Sequence, residues 1–323
     1  MTGWTASVLA EGSFWMPQAA SSIAGDVDAL YYFILWLCVF FFILVMGAMF
    51  AFVWKYRRQR SDQRTHPIAG NRTLEIVWSV IPSLILVVLF VWGTRVWLEQ
   101  TVPPPNAMEI RVTGQMWNWS YDYPTKGCTG ATELVVPKDT PVKLIVNSTD
   151  VLHSFYIPAF RVKRDAVPNK YNVMWFEAIE AGEFDIFCAE YCGDQHSQML
   201  SKVRVVSNEA FQEWVDAGCG MGGEGMAPAE FGAMLYDKKG CKTCHSVDGT
   251  RLVGPSFQGL YGRKEKIKDG SEVDVDDNYL RESIMYPNAK IVAGYDGVMP
   301  SYKGKLKDKQ VDAIIDYIKS LSQ

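Results

Sequence analysis

Four of the seven cysteines sit in two tight pairs, each beside a histidine, and the chain has only four histidines. The first pair lies in Cys188-Ala189-Glu190-Tyr191-Cys192-Gly193-Asp194-Gln195-His196-Ser197-Gln198-Met199, with Asp150-Val151-Leu152-His153-Ser154 upstream. Two thiolates, two imidazoles and a thioether are soft or borderline donors, suited to copper rather than to magnesium or calcium. The spacings from 188 to 192, 192 to 196 and 196 to 199 let one loop wrap a metal, and His153 can close the site from another strand end. Two bridging thiolates can hold two copper ions, each with one imidazole and weak axial donors from Met199 and the Glu190 carbonyl. The same composition also suits a structural zinc site, and a Cys188–Cys192 disulfide is a third reading in an oxidising space. The second pair lies in Cys241-Lys242-Thr243-Cys244-His245. This pattern attaches haem covalently, both thiols adding to the vinyl groups and His245 becoming an axial iron ligand. Met299 follows far enough along the chain to wrap the ring and supply the second axial donor, with Met285 its nearest rival. A His/Met pair raises the potential and fills both axial positions, which suits electron transfer rather than oxygen chemistry.

Such centres need elements to hold them. Ala29 to Trp54 and Ile76 to Thr94 carry no charge and are largely apolar, and a bilayer core takes about 20 apolar helical residues. Both runs are read as membrane helices. The loop between them holds Lys55, Arg57, Arg58, Arg60, Arg64 and Arg72 against Asp62 and Glu75. Positive loops stay in the cytoplasm, so the hairpin turns both ends outward. Beyond it, Pro103-Pro104-Pro105 makes a stiff exit. Strand-like runs follow at Glu109–Trp117, Glu133–Val136, Pro141–Val146, Glu183–Phe187 and Lys202–Val206, separated by turn-forming residues. They predict a small antiparallel sandwich or barrel.

The run C-A-E-Y-C-G-D-Q-H-S-Q-M, with D-V-L-H-S upstream and two membrane helices before it, closely resembles subunit II of haem–copper cytochrome c oxidases. The resemblance covers about residues 20–216. It implies a cupredoxin-like sandwich whose loop binds the dinuclear copper A centre through His153, Cys188, Cys192, His196, Met199 and the carbonyl of Glu190. It further implies that the Glu190 side chain helps hold a magnesium ion shared with subunit I. Gly114-Gln115-Met116-Trp117-Asn118-Trp119-Ser120-Tyr121 resembles the family's aromatic segment, which makes Trp117 the electron port from cytochrome c. The family usually shows His then Gln before this Trp, where this chain has Gln115 and Met116. Leu74-Glu75-Ile76-Val77-Trp78 resembles the start of the family's second helix, placing Glu75 at the mouth of a proton channel of subunit I.

Ala217 to Ala229 reads AGCGMGGEGMAPA, a flexible tether. Cys219 within it and Cys128 before it are either disulfide-bonded or two free thiols. Phe231–Lys239 and Asp308–Leu321 are read as helices, the latter with Val311, Ile314, Ile315, Ile318 and Leu321 on one face. Residues 230–323 resemble class I cytochrome c. The expected architecture is a multidomain membrane protein. Residues 1–28 form an external segment, 29–98 a transmembrane helix hairpin, and 99–216 an all-β cupredoxin-like copper A domain. Residues 217–229 form a Gly-rich linker and 230–323 an all-α cytochrome c domain.

Charge sharpens this picture. Residues 101–229 carry 10 basic and 16 acidic side chains, a net of −6, while residues 230–323 carry 15 and 14. No segment is strongly basic, which excludes an electrostatic case for nucleic acid. Lys238, Lys239, Lys242, Lys303, Lys305, Lys307 and Lys309 are expected to ring the haem edge and face the acidic domain across a weak, swinging contact. The resemblance implies an electron-transfer subunit of a terminal oxidase in a bacterial plasma membrane, with copper and haem domains outside. Electrons would pass from haem c to copper A and on to the haem of subunit I, where oxygen is reduced and protons are pumped. Subunits I and III are the expected membrane partners, and cytochrome c or a cytochrome bc complex the donor. A nitric oxide reductase subunit with the same electron path is the alternative. A quinol oxidase subunit would lack the copper ligands, and a lone carrier or copper chaperone would not need Glu75. The spare histidine, His66, falls in the basic loop.

Overall fold

The computed structural model describes residues 12–64, 70–220 and 226–322, so His66 and part of the Gly-rich linker lie outside the described residues. Helix α1 spans Ala24–Tyr56 and α2 spans Arg72–Thr101. Asn71 starts α2 by accepting the Leu74 N–H with its side chain. Pro82 lies inside α2, which continues through it. Large apolar side chains stand exposed on all sides of both helices. A helix apolar all round needs an apolar surrounding, and at this length a bilayer supplies it.

Where α1 begins, against the domain that follows the hairpin, Asp28 is buried and takes the Arg161 guanidinium twice, Nε at 2.7 Å and Nη2 at 2.9 Å. The same guanidinium donates to the carbonyls of Pro158 and Pro17. Trp175 Nε1 donates to the Glu99 carbonyl near the end of α2 at 2.9 Å. Removing one partner of such a buried pair typically costs about 3–5 kcal/mol. The membrane hairpin is therefore bolted to the domain that follows rather than hinged to it.

That domain is a sandwich. Its strands are β1 (Met108–Gln115), β2 (Asn118–Tyr123), β3 (Cys128–Ala131), β4 (Leu134–Pro137), β5 (Pro141–Ser148), β6 (His153–Ile157), β7 (Val162–Ala166), β8 (Asn172–Glu177), β9 (Gly182–Cys188) and β10 (Leu200–Val206). One sheet runs β3-β2-β1-β5-β8 and the other β4-β10-β9-β6-β7. Strand β5 alternates half-buried and buried residues along its whole length, the mark of one face turned to a core. Tyr121, Phe155, Phe160, Phe176 and Ile186 fill the space between the sheets. The sequence pattern predicts antiparallel pairing, but β1–β5 and β4–β10 are parallel. The reason is topological: β4 leaves the first sheet for the second before β5 returns beside β1. Helix α3 (Asn208–Asp216) follows, and a disulfide joins Cys128 on β3 to Cys219 just after it.

The last domain holds helices α4 (Pro228–Lys238), α5 (Asp277–Met285) and α6 (Asp308–Ser320), with a small hairpin of β11 (Lys264–Lys266) and β12 (Glu272–Asp274). Helix α6 buries Val311, Ile314, Ile315 and Ile318, the face its spacing predicts. It crosses α4 at Gly232, where a Cβ atom would stand 1.9 Å from the Ala313 carbonyl oxygen. Only glycine permits that approach.

Candidate metal centres

The register of the second sheet assembles the first centre. Phe155 on β6 pairs with Cys188 on β9, and Phe187 pairs with Leu200 on β10. His153, two residues before Phe155, therefore lies beside the end of β9, and the 189–199 loop closes over both. His153 Nδ1 stands 3.9 Å from Cys188 Sγ, the two thiol sulfurs are 3.8 Å apart, and Cys192 Sγ lies 3.5 Å from His196 Nδ1. Met199 Sδ is 3.8 Å from Cys192 Sγ, and the Glu190 carbonyl oxygen is 3.2 Å from Cys188 Sγ. One ligand atom each from His153, Cys188 and Cys192 falls within 4.8 Å of the others. All six predicted copper donors meet at one place. The set mixes two sulfurs, two imidazole nitrogens, a thioether and a carbonyl, a donor chemistry that fits copper.

Asp150 orients this cluster. Its Oδ1 accepts from His153 Nε2 at 2.8 Å, which turns Nδ1 toward the sulfurs, and its Oδ2 accepts the Met116 N–H at 2.7 Å. Burial pulls the His153 imidazole down, but its bonds to Asp150 and Cys188 outweigh that and bring it up to about 8. Burial pushes both thiols up. For Cys188 the bonds from His153 and neighbouring backbone prevail and lower it to about 6, while the Cys188 charge raises Cys192 further, to about 12. Gly114 completes the fit, since a Cβ there would lie 3.1 Å from the His153 ring.

Trp117 is joined to the same loop. Its Nε1 donates to the Cys192 carbonyl at 3.0 Å, and its ring lies against Gly193. Glu75 stands elsewhere, exposed in the first turn of α2.

The second centre is a cavity in the last domain. Cys241, Cys244, His245 and Met299 all line it, among apolar residues that include Leu260, Leu280 and Ile314. Met285, the alternative to Met299, is not among the residues that line it. His245 Nδ1 donates to the Pro255 carbonyl at 2.7 Å, which leaves Nε2 as the lone-pair nitrogen for a metal. A Cβ at Gly254 would stand 2.6 Å from the His245 ring, so the loop can cradle the ring only as glycine. Burial lowers His245 and raises the thiols, Cys241 to about 12 and Cys244 to about 11. An apolar slot with two thiols, an oriented imidazole and a thioether fits haem c.

Known proteins resemble the chain throughout. Residues 10–96 match the transmembrane domain of cytochrome c oxidase subunit II, 128–206 its periplasmic domain, and 229–322 cytochrome c. Cytochrome c oxidase subunit 2 of Alkalihalophilus pseudofirmus is 34% identical over 291 residues, covering 86% of this chain and 82% of the relative. The chain belongs to the cytochrome c oxidase subunit 2 family. The Bacillus subtilis member is 28% identical over 312 residues, covering 88% of this chain and 82% of that relative. The crystal structure of the periplasmic domain of subunit II of cytochrome oxidase of Bradyrhizobium japonicum is 34% identical, with a TM-score of 0.35, and covers 37% of this chain and 98% of that one. Membership with a cytochrome c domain is consistent with electron transfer in a terminal oxidase, and these domains imply copper A and haem c binding. Trp117 lies between the two subunit II matches.

Several contributors were not legible in the sequence. Asp150 stands in the sequence only as a flank of His153, and nothing local marks it as a link to Met116. Lys238 meets Glu133 of the copper domain, as its charge suggests, whereas Lys239 reaches the Gly130 carbonyl and Lys305 approaches that domain by its main-chain carbonyl. Lys242 instead pairs with Asp237 of its own domain, and Lys303 lies over the Tyr286 ring.

Proposed function

We propose that the chain is the electron-transfer subunit of an aerobic terminal oxidase. In this reading electrons pass from haem c to the dinuclear copper A centre and on to the haem of subunit I, where oxygen is reduced and protons are pumped. One observation carries the reading. Met116 and Asn118, which flank Trp117, form part of the wall of the haem cavity, while Trp117 itself is bonded to the copper loop. The two candidate centres thus approach each other across one indole.

His153, Cys188, Cys192, His196, Met199 and the Glu190 carbonyl hold copper A. Cys241 and Cys244 would bond haem c, and His245 and Met299 would hold its iron. Bound, the two groups would supply one-electron carriers. The chain's own residues keep them dry and fixed: the sheet register sets the copper donors, Asp150 orients His153, and Pro255 orients His245. Trp117 is the electron port. The Glu190 side chain, exposed on the copper loop, contributes to a magnesium site at the contact with subunit I. Glu75 lies at the mouth of that subunit's proton channel. Residues 29–98 cross the bacterial plasma membrane with the basic loop in the cytoplasm, leaving the 99–216 and 230–323 domains outside. Subunits I and III complete the complex, and cytochrome c or a cytochrome bc complex donates.

The test is flash photoreduction of haem c in the purified, full-length oxidase. Haem oxidation should keep pace with copper A reduction, first order and independent of protein concentration. Metal analysis giving zinc in place of copper, or a second-order reaction, would overturn the reading.

A further inference from the structure

The contact between the two external domains is built, not merely charged. Lys239, the residue after α4, is only 5% exposed. Its Nζ donates to the Gly130 carbonyl on β3 of the copper domain. Its own carbonyl accepts two bonds, from Asn118 Nδ2 of the copper domain at 2.7 Å and from the Tyr302 hydroxyl of the haem domain at 2.9 Å. Beside it, Lys238 Nζ meets Glu133 at 2.6 Å. Two glycines with positive φ mark the closeness of the backbones. A Cβ at Gly240 would lie 3.0 Å from Asn118 Nδ2, and one at Gly130 would lie 3.0 Å from the Lys305 carbonyl oxygen. Gly130 is held in turn, its N–H donating to Asp122 Oδ1 at 2.6 Å.

Position gives this contact a consequence. Asn118 follows Trp117, and Lys239 precedes Cys241 by two residues. The bond from Asn118 to the Lys239 carbonyl therefore ties the port segment directly to the haem-attachment turn. A lysine buried this deeply loses hydration that an exposed docking lysine keeps, and its ammonium recovers it from a carbonyl across the domain boundary. We infer that Lys239 and Asn118 form a latch that holds the haem crevice against the Trp117 segment, and that both act as positioning residues for haem-to-copper transfer. Building on the function proposed above, the latch makes the haem domain a seated donor rather than a tethered visitor. Without it, each transfer waits on a search by a domain joined only through a Gly-rich linker.

The experiment compares Lys239→Met, Asn118→Ala and Lys242→Met with the wild type, each in the full-length oxidase. Hydrogen exchange of the 116–119 and 128–131 segments reports seating directly. Lys239→Met and Asn118→Ala should speed that exchange on the order of tenfold, and Lys242→Met, whose charge pairs within its own domain, should not. Flash-induced transfer in the two latch variants should slow by a similar factor and become viscosity-dependent, as expected of a search step. Haem and copper spectra should stay unchanged, which separates loss of position from damage to either centre. Should Lys239→Met fail to mature its haem, Asn118→Ala on the other domain decides the matter alone. Exchange unchanged in Asn118→Ala, or raised equally by Lys242→Met, would overturn the latch. A wild type that transfers no electrons from haem to copper would refute the function instead, and the exchange arm would still judge the seating.

Discussion

The copper loop and the haem crevice solve the same problem, holding a one-electron carrier, by opposite means. The copper donors are placed by sheet register and by hydrogen bonds such as that from His153 to Asp150. Their side chains already crowd one another, sulfur to sulfur and sulfur to imidazole. The proposed haem ligands, by contrast, face a cavity whose wall comes from α5, α6 and irregular loops. There the ligands are separated by the space the ring must fill. The difference teaches that the first site is prearranged by the fold, whereas the second domain depends on its ligand as part of its core. An unfilled apolar cavity loses packing on every side.

The strongest way to break that contrast is to remove each cofactor. Cys241→Ser combined with Cys244→Ser should abolish covalent haem and unfold the last domain, losing the helical circular dichroism of α4, α5 and α6. Cys188→Ser or Cys192→Ser should abolish the mixed-valence copper EPR signal yet leave the sandwich folded and the haem band intact. If the haem-free chain keeps a cooperative transition for its last domain, or the copper variants lose the sandwich, the contrast is wrong.

The same contrast explains what was readable in the sequence. The copper loop and the haem motif are contiguous, so their spacing is visible without a fold. The membrane helices are visible from composition alone. Strands β1, β5, β9 and β10 show enough β-branched or aromatic residues to be found. Strand β6, His153–Ile157, is nearly all buried and so shows no alternation, and β3 is four residues with a glycine inside. Helix α5 shows no clear apolar face in sequence, since DNYLRESIM is mostly polar and starts from the Asp276 cap. Lys239 is the clearest failure: charge places it in a ring facing the acidic domain across a weak, swinging contact, while tertiary contact buries it. No local pattern can reveal a lysine whose hydrogen-bond partners lie on a different domain.

A smaller effect sharpens the comparison on the sandwich side. The Cys128–Cys219 disulfide closes 91 residues of chain around the copper domain and fixes the start of the linker beside β3. Losing a native disulfide costs about 2–5 kcal/mol. Cys128→Ser combined with Cys219→Ser should therefore lower the calorimetric transition of the sandwich and leave the haem domain's transition in place. Equal loss in both domains would mean that the bridge acts on the whole external assembly.

The smallest effect concerns the copper-free protein and its two thiols. Cys188, lowered to about 6, and His153, raised to about 8, form a thiolate and an imidazolium at neutral pH, while Cys192 stays a thiol. The signs of the stability contributions oppose each other. The depressed Cys188 stabilises the fold above its ordinary value of 9.0, and that contribution is lost as pH falls through 6. The raised His153 stabilises it below its ordinary 6.5, and that contribution is lost as pH rises through about 8. The Cys188 shift is the larger of the two, so their sum is smallest in acid and grows as pH rises from 6 toward 9. Reactivity follows the thiolate, not the thiol. Brief treatment of the copper-free, full-length chain with a small alkylating agent at pH 7 should label Cys188 ahead of Cys192, and labelling of Cys188 should fall as pH drops through 6. His153→Asn should remove that advantage by taking away the cation beside Cys188. Equal labelling of the two cysteines at pH 7, read by mass spectrometry of the 188–199 peptide, would show that the site is not poised before copper arrives.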